Sequence, residues 1–188
     1  MRYLAMPRLK IMSMLLITVA ALGFFAITSP RPVEAVSTTL VVSQIYGGGG
    51  NTGAPFTHDF IEIFNRGTTP IDVAGWSVQY ASATGTTWQV TPLCPTGPCL
   101  IQPGIYFLVQ EASQAAVGSP LPTPDVVASP AIAMAAGAGK VALVNTTTPL
   151  SGACPAGAQI IDFVGYGITA NCFEGLGPAP APSNTTSD

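Results

Sequence analysis

Positive charge is what this 188-residue chain most lacks: it has six lysines and arginines against nine acids, and charged residues make up 8% of it. Four of the six bases, Arg2, Arg8, Lys10 and Arg31, fall in the first 35 residues. The rest keeps Arg66 and Lys140 against Asp59, Glu62, Asp72, Glu111, Asp125, Asp162, Glu174 and Asp188, a balance of two against eight, or −6. Two cations give no electrostatic footprint for a phosphate backbone, so direct nucleic-acid binding by this segment alone is not expected. Histidine occurs once, at His58, and no C-x₂-C pair is present, so the ligand pattern of a zinc site is missing. Gly47–Gly50 is followed by no GK[ST], and no G-x-S-x-G elbow occurs. The glycine run therefore reads as a flexible turn between two strands. His58-Asp59 is half of a triad without a serine in nucleophile context. Amphipathic helical periodicity is absent as well. These absences argue against an enzyme in this segment.

Long apolar runs are confined to the start. Arg2, Arg8 and Lys10 precede an uncharged stretch from Ile11 to Ile27, and Val33-Glu34-Ala35 follows. Basic start, apolar centre and small-residue site form the plan of a secretory signal peptide, with cleavage expected after Ala35. The alternative is an uncleaved anchor, since about 17 apolar residues is the lower limit for spanning a bilayer. No later segment is long and apolar enough to span, so none is expected after signal removal. The expected organisation is a signal peptide over 1–35, one domain over 36–177, and a Pro/Ala/Ser/Thr-rich loop or truncated end over 178–188. All four cysteines, Cys94, Cys99, Cys154 and Cys172, lie beyond the signal. An even count in an exported chain favours disulfides. Of three possible pairings, Cys94–Cys99 would close the tight LCPTGPC turn and Cys154–Cys172 would pin GACPAG to ANCFEG. The expected location is secreted, extracellular or at the cell surface.

What is present is a series of short strands. TLVVSQIY (39–46), DFIEIFN (59–65), IDV (71–73), WSVQYA (76–81), TTWQV (86–90), IYFLVQ (105–110), KVALVN (140–145) and IIDFV (160–164) are separated by turn residues. Trp76, Val78 and Tyr80 share one face and Ser77, Gln79 and Ala81 the other, the period of a half-buried strand. IYFLVQ, apolar on both faces, reads as a central strand. Asn65-Arg66-Gly67 offers a turn through positive φ at Asn or Gly. Between Glu111 and Gly139, PLPTP reads as an extended crossover and IAMAAGAGK as a turn or one helical coil. An all-β sandwich follows.

The order FIEIFN, IDVAGWSVQY, IQPGIYFLV, KVALVN, IIDFVGYG resembles the lamin tail domain, over roughly Thr38 to Ser187, and is most similar to its bacterial secreted members. That resemblance implies an immunoglobulin-like β-sandwich, with Asn65, Gly75, Trp76, Pro103, Gly104, Asp162, Gly165 and Tyr166 as its structural positions. Bacterial members often sit beside secreted nuclease or phosphoesterase domains. Family members usually continue into a further strand, so this chain, stopping at Asp188, is expected to be truncated and to leave a sheet edge unpaired.

The carboxylates and aromatics give the remaining candidates. Asp59 and Glu62, three apart in a strand, point to opposite faces and cannot act as a pair. Glu62 and Asp162 each share a face with apolar residues, so each is either half open or buried and hydrogen-bonded. Loop calcium is the one cofactor considered, although no D-x-D-x-D-G loop is present; no other cofactor is expected. A carbohydrate platform of the two tryptophans and five tyrosines is weakened by Tyr3, in the signal, Tyr166, a turn anchor, and Trp76, which reads as core; Trp88 is ambiguous. The expected function is an exported, non-catalytic binding or interaction module with an unidentified protein or surface partner. Its alternatives are an N-terminal fragment of a secreted endonuclease or phosphoesterase, and a structural cell-surface domain that pairs by strand addition.

Overall fold

The computed structural model describes residues 37–95 and 97–187; the expected signal peptide and its cleavage point at Ala35 lie outside them. Among the described residues there are ten strands and no helix: β1 Leu40–Tyr46, β2 Phe60–Asn65, β3 Ile71–Asp72, β4 Ser77–Ser82, β5 Gln89–Pro92, β6 Leu100–Ile101, β7 Tyr106–Gln110, β8 Val126–Val127, β9 Gly139–Val144 and β10 Ile160–Tyr166. They form one sheet in the order β1-β2-β7-β8, a second in the order β10-β9-β4-β5, and a β3–β6 ribbon. Only β7–β8 is parallel. This is the expected all-β, immunoglobulin-like sandwich.

Period-two alternation builds the core. Ile45, Ile61, Ile63 and Val109 of the first sheet meet Val78, Tyr80, Val141 and Leu143 of the second, all buried. Each large aliphatic side chain so buried contributes roughly 1.5–3 kcal/mol.

The second sheet departs from the expected half-burial. In β4 Ser77, Val78, Gln79, Tyr80 and Ala81 are all buried. The reason is a layer of loops over the outer face. Gln79 Nε2 donates to the Thr148 carbonyl at 3.0 Å, the Leu150 amide donates to Gln79 Oε1 at 2.8 Å, and Ser77 Oγ donates to the Thr146 carbonyl at 2.6 Å. Beneath the loops a second apolar cluster forms from Ala81, Trp88, Ala142, Val144, Leu150, Ile160, Phe163 and Cys172. Lys140 lies fully buried on the same face of the sheet. Its ammonium donates to the Gly85 carbonyl (2.8 Å), the Ala153 carbonyl (2.6 Å) and Asn171 Oδ1 (2.9 Å), one acceptor from each of three covering loops. It also lies 5.6 Å from the Trp88 ring centre. Burial lowers its pKa. The second disulfide, Cys154–Cys172, ties two of those loops together.

Other expectations shift for the same reason, namely which faces find cover. The fully buried strand is β9, inside the second sheet, whereas β7 is only half-buried and begins at exposed Tyr106. The partner of β4 is Gln89–Pro92, three residues later than Thr86. Trp88, 3% exposed, is the core tryptophan: its Nε1 donates to the Gly152 carbonyl, and its ring meets Phe163 edge-on at 5.8 Å. Trp76 is partly buried at the margin of the main core. Of the turn or helical coil expected at 132–140, no helix forms; the segment runs without regular structure, bends at 136–137 and enters β9.

Replacing Lys140 by Met keeps the apolar stem and leaves three loop acceptors without their donor. Each hydrogen bond to a charged group is worth about 1.5–3 kcal/mol, so K140M should lower unfolding stability by about 3 kcal/mol or more. Chemical denaturation of the two proteins at matched pH checks it; equal midpoints would show that the loops stand without the ammonium.

Candidate functional site

Four buried side chains hold the crossover that precedes β9. Asp59, just before β2, is fully buried. Its Oδ2 accepts from the Met134 amide at 2.9 Å and its Oδ1 from the Gly49 amide at 2.8 Å. Glu111, at the end of β7, accepts from the Ile132 amide at 2.7 Å. The Ala135 amide donates to the Tyr80 hydroxyl, and the Tyr166 hydroxyl donates to the Ala135 carbonyl. Extended backbone inside a core needs such partners, because an unpaired buried amide costs about as much as a lost hydrogen bond. The glycine run that reads as a flexible turn is instead buried throughout. A side chain at Gly49 would collide with the His58–Asp59 backbone.

Burial dominates the electrostatics here. It pushes Asp59 up to about 6, against the Met134 and Gly49 amides, which favour the charged form. It pushes Glu111 up to about 7, against the Thr91 hydroxyl and the Ile132 amide, with the Asp59 charge adding to the rise. Thr91 Oγ1 and Glu111 Oε1 are both buried, close enough to interact electrostatically but not in hydrogen-bonding geometry. Burial, then Tyr80, raises Tyr166.

The outer strands β1 and β10 approach each other where each carries an irregularity in register, at Val42/Gln44 and at Ile160/Asp162. Asp162 bridges them: its Oδ2 accepts from the Val42 amide at 2.7 Å. Further along β10, the tail takes over. The Ala179 amide donates to the Gly165 carbonyl and the Gly167 amide to the Ala179 carbonyl. The tail thus pairs with the outer edge of β10 at Gly165–Gly167. Between the edges lies a cleft of about 470 Å³ with Val41, Val42 and Val164 on its lining and Arg66, Asp162 and Glu174 as its charges. Burial raises Asp162 to about 6, opposed by the Val42 and Phe163 amides and by Arg66. Burial, then the Asp162 charge, raises Glu174 to about 7, opposed by the Phe163 amide.

The cleft unites two residues singled out from sequence, Asp162 and Gly165, with two that were not, Arg66 and Glu174. The other candidates lie elsewhere. Asn65 is fully buried and forms its turn by side-chain bonding, not by positive φ: Nδ2 donates to the Thr69 and Ile101 carbonyls, and Oδ1 accepts from the Gly67 amide. Gly104, next to Pro103, has φ +73°, which suits glycine in a tight turn, and its amide donates to the Asn65 carbonyl. Gly75 has φ +75° just before Trp76. Tyr166 closes β10 inside the core. Disulfides join Cys94 to Cys99 and Cys154 to Cys172. Glu62 is half-buried and accepts from Ser43 Oγ at 2.8 Å. Among the described residues no three His, Cys, Asp or Glu side chains gather as a metal site would require, and no helix is long and apolar enough to cross a membrane.

The family model described as Lamin Tail Domain matches residues 34–167, a span that contains all ten strands. No curated protein matches the chain.

The raised acids set the sign of the pH response. Asp59, Glu111, Asp162 and Glu174 all hold protons more tightly when folded than their ordinary values of 3.8 or 4.5. From about pH 4 to 7 the folded chain therefore binds more protons than the unfolded one, and stability falls as pH rises. Each tenfold change in proton affinity is worth about 1.4 kcal/mol. The thermal midpoint should be higher at pH 5 than at pH 8. Glu111→Gln, whose amide can donate toward Thr91, should flatten that slope. A midpoint that rises from pH 5 to pH 8 would contradict the assignment.

Proposed function

This chain belongs to the lamin tail domain family, and from that premise we propose that the part beyond residue 35 is an exported, non-catalytic interaction module. The observation that carries the reading is how its buried charges are used. Asp59, Glu111 and Asp162 accept backbone amides, and Lys140 donates to two loop carbonyls and Asn171. Groups so engaged hold chain in place and are poorly disposed to exchange protons with a substrate. The Arg66–Asp162–Glu174 cleft is the recognition surface in this reading, since it brings unlike charges beside apolar walls at the meeting of two sheet edges. The partner is a protein or surface component outside the cell. Two disulfides and a basic, then apolar, amino-terminal segment support export.

Two measurements test it. Expressed in an exporting bacterial host, the chain should be recovered with Val36 as its first residue and both disulfides closed; mass spectrometry reads both, and a product retaining residues 1–35 would refute cleavage. The same purified material should hydrolyse neither phosphodiesters nor phosphomonoesters above the buffer rate, with or without calcium, magnesium or manganese. Turnover abolished by Asp162→Asn or Asp59→Asn would overturn the non-catalytic assignment.

A further inference from the structure

We infer that a second cleft, between the outer face of the first sheet and the tail, binds a neutral carbohydrate. It has a volume of about 340 Å³ and is independent of the Arg66 cleft. Its apolar lining comes from Pro55, Phe56 and Phe60 and its polar lining from Gln44, Thr186 and Ser187; among the described residues no lining residue is charged. That combination suits a sugar, whose C–H faces pack on rings while its hydroxyls exchange hydrogen bonds with side-chain amides and hydroxyls. In contrast to the cleft between β1 and β10, the described lining offers a charged ligand no counter-charge.

The rings are pre-arranged. Tyr46 and Phe60 stack at 5.4 Å with an interplanar angle of 28°, and form a buried floor. Phe56 is only half-buried and stands nearly perpendicular to both, at 84° and 81°, so neither ring lies parallel over its face. The tail wall is fixed as well. The Tyr46 hydroxyl donates to the Asn184 carbonyl at 2.7 Å, Asn51 Nδ2 donates to Asn184 Oδ1 at 3.1 Å, and Asn184 Nδ2 donates to the Thr52 carbonyl at 3.3 Å. At Gly48 even a methyl group would press on the Ser183–Asn184 backbone, so the glycine lets the tail seat closely. Ser187 Oγ donates to Gln44 Oε1 at 3.1 Å, which leaves the exposed Gln44 amide nitrogen to donate outward. Glu62, on the same sheet face, is held by Ser43 and does not line the cleft.

The test is a chemical-shift titration of the chain, recovered from an exporting host, with cellotetraose, chitotetraose and the anionic tetragalacturonate. A neutral tetrasaccharide should bind saturably with a Kd of about 1 mM or tighter, and the anionic one at least about tenfold more weakly. Shifts should centre on Phe56, Gln44 and Thr186. Phe56→Ala should weaken binding about tenfold, the worth of one aromatic contact. Gln44→Ala, at an exposed position, should weaken it several-fold while leaving the thermal midpoint unchanged, so the test stands even if Phe56→Ala perturbs folding. No saturable shift with either neutral sugar up to about 20 mM, equal affinity for the anionic one, or undiminished binding by Gln44→Ala would each overturn the inference.

Discussion

A single buried ammonium organises the least regular part of this molecule. Lys140 sits under three loops and directs its three hydrogen bonds to three loop acceptors. A charge moved out of water is tolerated only when its donors are met, so the loops must close over it together. Once they do, Trp88, Leu150 and Phe163 are buried on what would otherwise be the wet face of a two-layer sandwich. The second sheet thereby becomes the middle of three layers.

The same constraint recurs wherever chain runs through the interior without a helix or a ladder. Backbone groups in such segments need partners, and polar side chains supply them: Asp59 and Glu111 for the crossover, Asn65 for the turn after β2, Asp162 for the gap between the outer strands. The consequence for function is indirect. The buried carboxylates are engaged in holding loops, and of the clefts left between those loops one carries charges of both signs and another has a neutral described lining. The consequence for stability is direct, because the buried acids resist ionisation.

Much of the scaffold was legible in the chain itself. Alternation in WSVQYA and the Gly75-Trp76 and Pro103-Gly104 steps placed strands and turns to within a few residues, since period two and turn chemistry are local properties. The locations of buried polar groups were much less legible. Glu111 and Lys140 carry no motif, and Glu174 gave no signal beyond being an acid near a cysteine. Asp162, sharing a strand face with Ile160 and Val164, was the one charged residue of the cleft that drew notice. Trp88, ambiguous in sequence, is the enclosed tryptophan, and Trp76, which reads as core, is only partly buried, because loop cover from 145–157 encloses Trp88.

The sequence by itself determined the all-β architecture, the family resemblance, the scarcity of cations and the even set of four cysteines. These follow from composition and from spacings of a few residues. Tertiary structure alone decided that the glycine run is buried, that β9 and not β7 is enclosed on both faces, and that Arg66, Asp162 and Glu174 share one cleft. Val42 and Asp162 lie 120 residues apart and still form one hydrogen bond. Local pattern states which way a side chain points; only the closing of sheets and loops decides what it meets there.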